Sequence, residues 1–145
     1  MLEAIGERGY YPTASLDLAD ILYDRGRYDD IPEWTEKARA STGSDDLVNF
    51  VFLDSIEGAL LARDGRFDEG EARARNAVDL TANIDHPVTR VRALRYFAEV
   101  LALAGRTEEA QGVAADALAI LDGKGDVTGV SRLRELFARL DIQVA

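Results

Sequence analysis

Leu22-Tyr23-Asp24-Arg25-Gly26-Arg27-Tyr28-Asp29, Leu61-Ala62-Arg63-Asp64-Gly65-Arg66-Phe67-Asp68 and Leu101-Ala102-Leu103-Ala104-Gly105-Arg106-Thr107-Glu108 repeat one pattern. Their glycines stand 39 and 40 residues apart, a fixed period that marks stacked helical repeats. Working outward from each glycine, further positions fall into step. Seven residues before it sits a small residue (Ala19, Gly58, Ala98), four before it a leucine (Leu22, Leu61, Leu101), and twelve after it an alanine (Ala38, Ala77, Ala117). Two antiparallel helices cannot bury their apolar stripes alone. Close crossings therefore need small side chains, and neighbouring pairs must stack.

Apolar periodicity predicts seven helices. The first covers roughly 13–25 with Leu16, Ala19, Leu22 and Tyr23 inward. The second covers 29–42, with Ile31, Trp34, Thr35 and Ala38 as its stripe and Pro32 in its first turn. A longer helix from Asp45 to Asp64 is followed by one over 68–83. Asp85-His86-Pro87 reads as a cap leading into 87–104, and Thr107 reads as the cap of the sixth helix. Gly123-Lys124-Gly125 breaks the chain before a last amphipathic helix over 127–140, which has no partner of its own. The expected architecture is all-α: a right-handed α-solenoid of three helix pairs (about 12–43, 45–84 and 87–122) closed by a capping helix.

The chain has 145 residues, 47% apolar and 30% charged, which suits one folded domain. No apolar run approaches the roughly 18 residues that cross a bilayer. Met1-Leu2-Glu3-Ala4-Ile5-Gly6-Glu7-Arg8 lacks the basic start and apolar stretch of a signal peptide. The absence of cysteine rules out disulfides, thiolate metal sites and cysteine nucleophiles, and fits a reducing cytoplasm. A net charge of −10 argues against nucleic acid and anionic membranes as partners.

Catalytic constellations are missing from the sequence. Gly123-Lys124-Gly125-Asp126 has the wrong spacing for a phosphate loop and follows a helix. His86 is the sole histidine and reads as a residue beside a helix cap, which leaves no zinc pair. No serine or threonine is set beside an activating base. Asp29-Asp30, Asp45-Asp46 and Glu108-Glu109 sit at helix starts, where the helix dipole accounts for them. No catalytic residue, cofactor or metal is therefore expected.

The helix pairs resemble tetratricopeptide repeats. Ala19, Leu22, Gly26, Ile31 and Ala38, then Gly58, Leu61, Gly65, Gly70 and Ala77, then Ala98, Leu101, Gly105, Ala110 and Ala117 match that family's small, leucine and turn positions. Ser15, Asp54 and Leu94 stand where a tryptophan is typical, Glu57 replaces a leucine, and the period exceeds the usual value of about 34. More narrowly, Gly9-Tyr10-Tyr11, Ile21 to Asp29, Leu61 to Phe67 and Phe97 to Arg106 resemble the C-terminal helical region of large actinobacterial signalling ATPases, often fused to a nucleotide cyclase or transcription-activator domain. That resemblance implies a regulatory or sensor arm that binds a protein or peptide.

It also implies a concave groove lined by the first helix of each pair. Carried onto this chain, the groove takes Asp17, Asp20, Tyr23 and Asp24 from the first pair. The second gives Phe52, Ser55, Ile56, Ala59 and Arg63, and the third Arg92, Arg95, Tyr96 and Glu99. Such a groove is acidic at one end, apolar in the middle and mostly basic at the other, suited to a peptide of matching polarity. On this reading, reversing Arg92 and Arg95 to Glu abolishes partner capture and leaves helicity intact. The competing reading is three solvated faces, with Tyr23, Phe52 and Tyr96 packed on neighbouring helices. Another function class is self-association: a homodimer formed through the N-terminal pair, whose outer face lacks a cap.

Overall fold

The computed structural model describes residues 10–144; the expectations for Met1 to Gly9 lie outside them. The described chain is all-helical, with α1 (Tyr10–Asp24), α2 (Ile31–Ser41), α3 (Leu47–Arg63), α4 (Phe67–Leu80), α5 (Pro87–Leu103), α6 (Thr107–Gly123) and α7 (Val127–Arg139). Single 3-10 turns, Tyr28–Asp30 and Thr81–Asn83, lead into α2 and end α4. Successive helices pack as pairs, α1 on α2, α3 on α4 and α5 on α6, with α7 against α6. The first helix starts three residues earlier than the periodicity suggests, so Pro12 lies in its opening turn.

The recurrent glycines explain the recurrence. Gly26, Gly65 and Gly105 have φ of 72°, 83° and 82°, a left-handed conformation that costs other residues steric strain. At each, the glycine N–H donates to the carbonyl three residues back, and the following arginine N–H donates to that of the conserved-position leucine: Arg27 to Leu22, Arg66 to Leu61 and Arg106 to Leu101, all at 2.9 Å. This paired hydrogen bonding ends one helix and aims the chain into the next. Gly125 makes the same turn at the end of α6.

The arginine after each glycine also has a local role. Arg27, Arg66 and Arg106 occupy the N-cap positions, and each reaches the acid three residues on: Asp30, Glu69 and Glu109. Arg106 is thus the residue at the start of α6, and Thr107 is its first helical residue, not its cap. The turn itself fixes the preceding residue at the boundary. True side-chain caps occur where aspartate fills that position: Asp46 accepts from the Asn49 N–H and Asp126 from the Gly129 N–H.

α3 and α4 make the closest crossing. A Cβ on Gly58 would lie 2.9 Å from the Gly70 carbonyl oxygen, and one on Gly70 would lie 2.7 Å from the Gly58 carbonyl oxygen. The main core runs through α1 and α3 to α7 and includes Ile56, Leu94, Tyr96, Val100, Leu101, Leu118 and Phe137. A second cluster around Leu16, Val51, Phe52 and Leu53 ties the first pair to the second. After α7, Asp141 adopts φ of 58° and the Ile142 N–H returns to the Phe137 carbonyl, burying Ile142 against the core. Among the described helices none is long and apolar enough to cross a membrane.

Candidate functional site

α1 and α5 both lean on α3, and their side chains meet each other across it. A row of three helices whose outer members touch is curved toward that side. The curved-in face carries the residues expected to line a groove, but the two charged ends are not apart. Arg92 lies 3.8 Å from both Asp17 and Asp20. Arg95 lies 3.5 Å from Asp20 and pairs with Asp24, while the Tyr96 hydroxyl donates to Asp20. The expected polarity along a groove is instead a clamp across it, acid on α1 against base on α5.

The centre is closed by burial. Ser55, Ile56, Ala59 and Tyr96 have no exposed surface, and Phe52 is capped by the Arg92 guanidinium, 4.1 Å from the ring centroid. Such a cation over a ring face adds attraction beyond the buried area. Reversal of Arg92 and Arg95 to Glu therefore sets carboxylates against carboxylates inside the fold. Stability would suffer along with any binding, which corrects the expectation that helicity is spared.

One step toward the C-terminal ends of these helices lies a second polar cluster. The Arg63 guanidinium donates to the Tyr23 hydroxyl at 2.8 Å and pairs with Glu99. Glu99 is 2% exposed, and Arg63 is the cation beside it in that buried setting. Arg63 also lies over the rings of Tyr23 and Tyr28, 5.2 and 4.6 Å from their centroids, and Tyr23 stands edge-on to Tyr28 and Tyr96. Burial pushes the Tyr23 phenol well above its ordinary range, and the Glu99 carboxylate adds to the rise. Burial also raises Tyr96.

Both phenols hold their protons folded and lose them near pH 10 when unfolded. Their contribution is complete below that pH and declines as pH rises toward the folded values. Each tyrosine is expected to cost about 1.4 kcal/mol per pH unit above pH ~10. Urea titrations across the alkaline range check this, and Tyr23→Phe should make the decline shallower. An unchanged slope in that variant would mean that Tyr23 ionises while folded.

Not all of the face is filled. Tyr23, Asp24, Arg63, Arg95 and Glu99 border a pocket of about 260 Å³, completed by Tyr28 and by Leu136, Arg139 and Leu140 of α7. Arg139 makes no ion pair among the described residues. So of the expected groove residues, five line an open pocket, and Asp17, Asp20, Phe52, Ser55, Ile56, Ala59, Arg92 and Tyr96 form the clamp and core beside it. α7's share of the pocket was missed by sequence reasoning. The only signal for it was that Leu136 and Leu140 continue the apolar stripe of a helix whose contacts the sequence left unassigned.

Among the described residues no group of histidine, aspartate and glutamate side chains could hold a metal ion. The perturbed tyrosines sit in ion-pair networks, Tyr23 with Arg63 and Glu99 and Tyr96 with Asp20 and Arg95. Comparison with protein-family models, curated proteins and solved structures gives no match for this chain.

Proposed function

We propose that the chain is a non-catalytic protein-interaction module, a short right-handed solenoid of tetratricopeptide-like pairs that serves as a regulatory arm of a larger signalling protein. Three glycine-arginine turns of one geometry and a row of first helices whose outer members meet support the solenoid. The observation that carries the binding role is the pocket on the curved-in face. It combines aromatic walls with apolar side chains of α7 and Arg139, which has no ion pair among the described residues, features that anchor a partner side chain and its charge.

Selection of a displayed peptide library on the immobilised chain tests this. The reading expects one enriched sequence pattern whose binding Arg139→Glu weakens by about tenfold or more. Failure of any pattern to enrich, or enrichment indifferent to Arg139→Glu, would remove the pocket as the binding site. A second reading, self-association through the first pair, draws on Ile21, half exposed on α1 with Leu18 one turn before it. Mass that stays monomeric over a wide concentration range in light scattering excludes it.

A further inference from the structure

The junction between the first and second pairs differs from the junction between the second and third. At the later one, Arg106 of the third turn pairs with Glu71 of α4, and Arg75 stacks over Phe97 with its guanidinium 4.9 Å from the ring centroid. Counting from each turn glycine, Pro32 takes the place of Glu71, Glu36 that of Arg75, and Glu57 that of Phe97. Arg66, the counterpart of Arg106, consequently pairs with its own neighbour Glu69 and with no residue of α2. Both ties across the junction are lost together, and two glutamates replace a cation over a ring.

What opens there is a cleft of about 570 Å³ between the start of α2 and the outer side of α3, against about 400 Å³ at the later junction. Its floor is Leu60 and Leu61, with Tyr28 and Pro32 at one wall. Glu57 is taken by Arg39 and Arg73. Asp29, Glu36 and Asp64 line the same cleft and make no ion pair among the described residues. The result is an apolar floor beneath three carboxylates that lack an ion pair among the described residues, beside Arg63 and Arg73, which are held by Glu99 and by Asp54 and Glu57.

From this we infer that the cleft is a docking site for a partner segment in which apolar side chains are flanked by lysine or arginine. Leucine-type side chains would cover Leu60 and Leu61, and the cations would meet Asp29, Glu36 and Asp64. The charge of the cleft selects this partner: an acidic segment would face like charge at Asp29, Glu36 and Asp64, while the two arginines of the lining, Arg63 and Arg73, already have acidic partners. The inference rests on the interaction-module reading; Tyr28 and Arg63 border both pockets, but Asp29, Glu36 and Asp64 belong to this cleft alone and Leu136, Arg139 and Leu140 to the other, so the two can fail separately.

The probe is a fluorescein-labelled amphipathic Leu/Lys peptide, with its Leu/Glu counterpart, read by anisotropy on the full chain. Binding is expected for the Leu/Lys peptide alone. Neutralising the rim (Asp29→Asn, Glu36→Gln, Asp64→Asn) should weaken it by about tenfold or more. Pro32→Glu should do the same by a different route, because it restores the partner of Arg66 and ties the cleft shut while circular dichroism stays unchanged. A remote triple variant (Glu108→Gln, Asp116→Asn, Asp122→Asn) carries the same change in net charge and should bind as the parent does. The inference is overturned by no binding, by equal weakening in the remote variant, or by amide shifts at Leu136–Leu140 in place of Asp29–Glu36 and Glu57–Leu61. That last outcome moves the contact to the α7 pocket and leaves the module reading standing.

Discussion

Arg63→Ala is expected to cost about 3 kcal/mol of folding stability and lower the melting temperature by roughly 10 °C. The reason is Glu99, whose side chain keeps 3% of its surface in solvent and has Arg63 as its ion-pair partner. Removing the cation leaves a buried carboxylate without its counter-charge, and the Tyr23 hydroxyl loses its donor as well. The figure is at the lower end of losses for buried pairs because Arg63 itself retains a quarter of its side chain in solvent. Glu99→Gln in the same chain should recover most of the loss, since a neutral amide needs no cation. Denaturant unfolding followed by far-UV circular dichroism measures both. A loss below about 1 kcal/mol, the range of exposed pairs, would show that Glu99 is solvated without Arg63.

Gly70→Ala is the second large effect. Alanine is the better helix former by about 1 kcal/mol, and at an open helical position the exchange stabilises. Gly112 in α6 is such a position, with nothing within 4 Å of a Cβ, so Gly112→Ala should gain about 0.5–1 kcal/mol. At Gly70 the added carbon would lie 2.7 Å from one backbone oxygen and 3.0 Å from the Ala62 nitrogen. Backbone cannot swing aside as a flexible side chain does, so α3 and α4 must separate and loosen the core around them. The expected net loss is about 2 kcal/mol, propensity gain included. If Gly70→Ala and Gly112→Ala prove equally stabilising, the crossing is looser than its geometry states.

How much of this was legible in the sequence follows from the range of the interactions. The turns are local: a glycine that must adopt positive φ, with a leucine carbonyl four residues back, leaves its mark within six residues. The small residues at Gly58 and Gly70 were legible as crossing positions because alignment of the repeats put them there. The arginine-to-acid pairs at the helix starts were equally local and in plain view, yet Asp30 and Glu109 were read only as complements to the helix dipole and Glu69 was not read at all. The clamp was not legible. Asp24 and Arg95 are 71 residues apart, and Asp20 and Tyr96 are 76 apart. Whether such faces meet depends on curvature accumulated over three helix pairs, which no single repeat encodes. The same charges therefore read as the two poles of a groove. The return of Ile142 was hidden for a smaller reason, a left-handed turn carried by aspartate where glycine would have advertised it.

The links between α1 and α5 bear on how the chain comes apart. Linear repeat arrays are quasi-one-dimensional: each unit touches its neighbours only, so an end can fray while the rest holds. Here the first unit is also bound to the third through Asp17, Asp20 and Asp24, which turns the line into a loop of contacts. Fraying of α1 must then break its bonds to α5 as well as those to its neighbours. The chain is consequently expected to unfold as one cooperative unit, with amide exchange in α1 held close to the global rate. Cutting away the third pair should leave the first two weaker than their shared core alone implies.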